Sequence, residues 1–139
     1  MTENLRLAAG QLVNTGHFLR ETAAKVLEGE AGIVFAYLFG SATTDVFGAR
    51  SDVDVAIMYD HEPAGFRSQL ALHHKLAKSL GRDVDLVVLN SSRSLPLRRA
   101  IVRSGFPLVD RDPPRRLSYE VTVEHDYLDF KYSSEAANA

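Results

Sequence analysis

The sequence predicts an α/β or α+β domain in which a small mixed β-sheet is packed by helices. Three observations lead to that class. Short apolar runs suited to strands (33–39, 53–59 and 83–89) alternate with stretches of helical periodicity. The first run ends at Gly40-Ser41, whereas the second and third open on carboxylates, Asp52-Val53-Asp54 and Asp83-Val84-Asp85. For all three features to share one edge of a sheet, the second and third strands run parallel and the first runs antiparallel to them. A helix between the two parallel strands then supplies the crossover that such a pair requires.

Taken in order, residues 3–28 carry Leu5, Ala8, Ala9, Leu12, Phe18, Leu19, Ala23, Val26 and Leu27 at helical spacing. Thr2 is the N-cap, Gly16 a point of bending, and Gly29 or Gly32 the stop. Residues 33–39 form a strand ending at Gly40, and residues 41–47 a short helix broken by Gly48-Ala49-Arg50. Residues 53–59 are nearly all apolar, the pattern of a strand covered on both faces. Helical period returns over 63–80, with Phe66, Leu70, His73, Leu76, Ala77 and Leu80 on the inward stripe and Gly81 as terminator. The third strand, DVDLVVL, is followed by a short basic helix over 95–104 and an edge strand over 106–109. A last helix runs over 113–132, and the tail SSEAANA, with nothing to bury, is expected to fray. The expected organisation is therefore one domain, residues 1–139, with a core over about 30–110 flanked by the two terminal helices.

Bulk properties narrow the function. A net charge of −2 argues against a protein whose main work is coating nucleic-acid backbone, so no direct nucleic-acid binding is expected. The absence of cysteine removes disulfides, thiolate catalysis and cysteine-ligated zinc together. Neither a secretory leader nor a run long enough to span a bilayer is visible, so the expectation is a cytoplasmic domain with no membrane partner.

The chemistry concentrates at the shared edge. Asp52 and Asp54 project the same way from their strand, and Asp83 or Asp85 at the head of the next strand can join them. At an effective dielectric near 20, each pair of carboxylates about 4 Å apart costs roughly 4 kcal/mol. That is a large share of the roughly 5–15 kcal/mol by which a domain is stable. Protonation or a multivalent cation relieves it, and hard oxygen donors point to Mg²⁺, or Mn²⁺, rather than zinc. Two such ions suit in-line displacement at phosphorus. Opposite the acids, Gly40 permits close backbone approach, and Ser41 opens a helix whose N–H groups favour an anion. Arg50 and Ser51 can add a charge and a hydroxyl.

Gly40-Ser41, then ten intervening residues, then Asp52-Val53-Asp54 and, further on, Asp85 in VDLVVL, resembles the nucleotidyltransferase superfamily of the DNA polymerase β type. Short length, the stretch LPLRRAIVRSGFPLVDRD and the helix containing YLDF are similar to its minimal-nucleotidyltransferase (MNT) branch, and within it to MntA-type antitoxins that partner a HEPN-domain ribonuclease toxin. The resemblance runs through about residues 30–132. It implies a nucleotidyltransferase fold, ATP as substrate, Mg²⁺ as cofactor and AMP transfer to a tyrosine hydroxyl of the toxin, in a type VII-like toxin–antitoxin pair. By position it implies that Gly40 and Ser41 bind phosphate, that Asp52 and Asp54 bind metal and that Asp85 is the third carboxylate. Asp83 matches no motif position. The proton of the attacking tyrosine is expected to pass to Asp85 or Asp54.

Other residues carry blander expectations. Arg98, Arg99 and Arg103 form an exposed helix face, or else meet triphosphate or an acidic partner, and His73 and His74 serve packing or surface. Leu128, Phe130 and Tyr132 exceed what one packing stripe needs, which leaves part of the last helix for a partner. Two competing functions remain: neutralisation of the toxin by occlusion without catalysis, and transfer to a small molecule such as an aminoglycoside. Relatives acting on aminoglycosides commonly carry an added helical domain that this sequence does not show.

Overall fold

In the computed structural model, which describes residues 16–40, 52–61 and 65–137, strand β1 (Ile33–Phe39) is buried along its whole length. It pairs antiparallel with β2 (Val53–Tyr59) on one side and antiparallel with β4 (Phe106–Asp110) on the other. Strand β2 in turn pairs parallel with β3 (Val84–Val88), giving the order β3-β2-β1-β4. The sheet is therefore mixed, with β3 and β4 at its edges. Helix α2 (Phe66–Leu80) makes the crossover between the parallel strands, as the placement of the acids requires.

Period-two alternation divides the sheet's side chains between two layers. Val53, Val55, Ile57, Leu38 and Val84 pack beneath α1 (residues 16–28), through Leu19, Ala23 and Leu27, and beneath α2, through Leu72, Leu76 and Leu80. On the opposite face Phe35, Tyr37, Phe39 and Ala56 meet Ile101 of α3 (Leu95–Ser104) and Tyr119 of α4 (Pro113–Ala137). Helix α2 ends where Gly81 takes a left-handed φ of 67°, its N–H returning to the Ala77 carbonyl. Helix α3 starts at Ser94, whose hydroxyl accepts from the Leu97 N–H at 3.4 Å. Among the described residues no helix is long and apolar enough to cross a membrane.

Three expectations need correction. The inward stripe of α2 is Leu72, Leu76 and Leu80, while Phe66 and Leu70 are exposed. Residues at 66, 70, 73 and 77 share one side of the helix, and the sheet selects the flank next to it. His73 sits between the two, its Nε2 donating to the Val84 carbonyl at 2.6 Å. Secondly, α4 continues through Ala137 rather than stopping near Tyr132. Residues 133–137 hold neither glycine nor proline, and Glu and Ala extend a helix at little cost. Thirdly, Arg98, Arg99 and Arg103 are not simply a solvated face. Arg99 and Arg103 both reach Glu124 of α4, at 3.5 and 3.2 Å, and Arg99 stacks 4.0 Å over the Tyr127 ring. The proposed N-cap Thr2, the start of the first helix over 3–15, the helix over 41–47 and its break at Gly48-Ala49-Arg50 lie outside the described residues.

One arginine ties the layers together. Arg111, just after β4, donates to the carbonyls of Glu28 (2.6 Å), Glu30 (2.6 Å) and Ile33 (2.7 Å). Glu28 ends α1, Glu30 lies in the turn and Ile33 opens β1, so a single guanidinium caps a carbonyl that the helix leaves without a partner and fixes the entry into the strand. Arg111→Ala is expected to lower stability by about 1–2 kcal/mol, read from urea denaturation. An unchanged midpoint contradicts the tie.

Candidate active site

Register, rather than proximity in the chain, assembles the candidate site. Phe39 of β1 lies opposite Asp54 of β2, and Asp54 lies beside Asp85 of β3. Since adjacent strands are about 4.8 Å apart, two carboxylates leave neighbouring strands next to one another. Asp54 is half-buried, and Asp52 and Asp85 are exposed. Burial, then the charge of Asp85, then that of Asp52 hold the Asp54 carboxyl above its ordinary range. Asp54 thus feels the charge of both Asp85 and Asp52. Asp83 differs in role: its carbonyl accepts from the Val53 N–H at 2.9 Å and thereby seats the start of β2.

Gly40 follows directly on β1 with a left-handed φ of 73°. A Cβ at this position would fall well inside contact distance of Asp54 Oδ2. Glycine is thus demanded twice, by conformation and by the pressing of its backbone against the carboxylate. Ser41, Arg50 and Ser51 lie outside the described residues.

The donor chemistry fits a hard divalent cation. Carboxylate oxygens on adjacent strands, one with its proton affinity raised by burial and then by its neighbours, suit Mg²⁺ or Mn²⁺. Among the described residues no three of His, Asp or Glu form a ready-made cage, so any cation would gather them rather than enter a closed site.

Sequence reasoning missed a polar network on the face that also carries Asp54. The Tyr37 hydroxyl donates to Glu120 Oε1 at 2.7 Å, and Arg116 bridges Glu120 and Asp110 at 2.8 Å each. Burial first and the Glu120 carboxylate second push the Tyr37 hydroxyl far up, so it stays a donor. The network pins α4 to β1. Its i,i+4 Arg116–Glu120 pair was legible from spacing, and its link to Tyr37 was not. Nearby, burial raises the Tyr119 hydroxyl to about 12. That hydroxyl and Arg98 Nε are buried, with no hydrogen-bond partner among the described residues.

A family model described as polymerase beta, nucleotidyltransferase matches residues 21–114, more than half of the chain. The chain belongs to this nucleotidyltransferase family. Among solved structures, that of a toxin–antitoxin with AMP-PNP superposes on this nucleotidyltransferase with a TM-score of 0.73 at 26% identity, over 85% of this chain and 94% of that one. A variant of the MntA–HpeT toxin–antitoxin gives 0.68 at 27% identity, over 81% and 89%. A tri-AMPylated Shewanella oneidensis HEPN toxin in complex with MNT antitoxin gives 0.69 over 88% and 94%; at 24% identity, it bears on the fold alone. No curated protein matches the chain. The resemblance to the MNT branch is thus met by structure as well as by motif.

Two outcomes are expected at this edge. Gly40→Ala should cost about 1–2 kcal/mol from its left-handed backbone alone and more from displacing Asp54, measured by urea denaturation; an unchanged midpoint contradicts the double demand. Removing the charge at position 54 should stabilise the metal-free protein. Between the ordinary value of 3.8 and the raised one, the folded state binds more protons than the unfolded chain, so stability falls as pH rises through that window. In EDTA, Asp54→Asn should therefore melt above wild type at neutral pH, with the gap closing as pH falls towards 3.8. A pH-independent gap contradicts the electrostatic reading.

Proposed function

We propose that this nucleotidyltransferase is the antitoxin of a HEPN ribonuclease toxin, in a type VII-like pair, and neutralises it by transferring AMP from ATP to a tyrosine hydroxyl. The observation carrying the proposal is the row formed by Gly40, Asp54 and Asp85, a close-approach backbone facing paired carboxylates on one sheet edge. Similarity at 26% identity to a toxin–antitoxin solved with AMP-PNP supports both the nucleotide and the partner.

In this reading the Gly40 backbone and the Ser41 hydroxyl hold the phosphate tail, with Arg50 and Ser51 adding charge and a donor. Asp52, Asp54 and Asp85 are the residues that would hold Mg²⁺, two ions or their Mn²⁺ equivalents; bound there, the metal supplies Lewis-acid stabilisation of phosphate charge. The tyrosine oxygen of the toxin attacks the α-phosphorus, the bond to the bridging oxygen of pyrophosphate breaks, and pyrophosphate leaves. The tyrosine proton, ordinarily held to a pKa near 10, passes to Asp54 or Asp85. Burial, then the charges of Asp85 and Asp52, raises the proton affinity of Asp54, so it accepts a proton more readily than an isolated aspartate.

Intact-mass spectrometry of the HEPN partner tests the proposal. After incubation with ATP and Mg²⁺, the toxin should gain whole AMP units, and its RNase activity should fall in step. Asp54→Asn should abolish the gain while the variant still folds. Toxin neutralised without any mass change, or modified equally by Asp54→Asn, contradicts the catalytic reading.

A further inference from the structure

We propose that the free end of α4, residues 128–136, is a docking arm that receives the basic, RNA-binding face of the acceptor protein; this rests on the function proposed above. Helix α4 spans 25 residues, or about 37 Å, against about 23 Å for the seven-residue strand β1 that it crosses. Its direction follows from its contacts. Arg115, in the first turn, pairs with Asp60 just beyond the C-terminal end of β2, the edge opposite Gly40. Further on, Tyr119 meets the Phe35 ring (centroids 5.5 Å apart) and Glu120 meets Tyr37. Glu124 then reaches Arg103, near the end of α3, where the following strand begins opposite Leu38. The helix thus advances along β1 towards the edge that carries Gly40, Asp54 and Asp85. Among the described residues, Tyr127 under Arg99 is the last on the helix with a contact to another element, and residues 128–136 are all exposed.

That overhang is not an ordinary solvated helix end. Leu128, Phe130 and Tyr132 are 48%, 50% and 68% exposed, and Leu117 and Val121 continue an outward apolar line with Leu128 and Tyr132 along the helix. The other apolar line, Tyr119, Val123 and Tyr127, is spent on the sheet and on α3. A helix apolar on two sides has one side left for a partner. Charge selects which partner. Asp126, Asp129 and Glu135 surround the exposed apolar residues against Lys131 alone, and the two aspartates pair within their own helix only with His125, at 3.8 and 3.6 Å. A ribonuclease must present a cationic face to its substrate, so an apolar and acidic arm beside the transfer edge complements that face. Docking there would cover the toxin's RNA site and bring its neighbouring hydroxyls to the nucleotide.

Two surface variants of the full chain test the arm against the purified HEPN partner by biolayer interferometry and intact mass. Leu128→Lys with Tyr132→Lys should raise the dissociation constant by about tenfold or more and slow AMP transfer at low toxin concentration. Asp126→Lys with Asp129→Lys should weaken association at low salt and flatten its salt dependence. Both should keep the wild-type melting temperature and AMP-PNP affinity. Wild-type affinity in both variants overturns the arm, whether or not the toxin is AMPylated. Loss of affinity in the variants upholds the arm, even if wild-type protein leaves the toxin's mass unchanged; that second result counts against the catalytic reading alone.

Discussion

Everything at the candidate site depends on the pairing register of three strands. With β1 antiparallel to β2 and β2 parallel to β3, the exit of β1 and the entries of β2 and β3 fall on one edge. The register is enforced from the other side of the sheet. Val53, Val55 and Ile57 are fully buried beneath α1 and α2, so Asp54 and Ala56 must face the opposite layer. A slip by one residue would drive Asp54 into that core and turn the valines towards the layer of α3 and α4. The apolar alternation that builds the fold is therefore the same constraint that aims the carboxylate.

The fold accepts an unfavourable term at this edge, the crowding of like charges about Asp54. Gly40 adopts a backbone conformation disfavoured for other residues, and Asp54 is held near two like charges with a raised proton affinity. Glycine adopts that conformation freely, whereas the crowded carboxylates leave the site under an electrostatic tension that a bound cation would relieve. The remainder of the molecule is conventionally secured. Arg111 closes α1 onto β1, and Arg116 with Glu120 and Tyr37 fastens α4 to the sheet. Tension at one edge with ordinary packing elsewhere is the distribution expected where function competes with stability.

Much of this was legible in the sequence because the signals were local. Short β-rich runs gave the strands, and the placement of Gly40 against Asp52, Asp54 and Asp85 gave their directions, since only a mixed sheet brings these to one edge. Contacts between elements were not legible. Nothing in a run of three arginines says that Glu124, more than twenty residues on, will hold two of them. The inward face of α2 depended on where the sheet lay, which period alone does not tell. Tyr37 looked like any strand aromatic until Glu120 was seen to accept its hydroxyl. Ser41 enters by motif position, and Arg50 and Ser51 by their place just before Asp52 in the chain; all three lie outside the described residues.

The convergence of acids on the Gly40 edge is tested most directly by crystals grown with AMP-PNP and Mn²⁺, using anomalous scattering to locate the metal. The account expects manganese peaks against Asp54 and Asp85, with the nucleotide's phosphates lying over the Gly40 backbone. Manganese absent from those carboxylates, or a nucleotide seated away from Gly40, would contradict it.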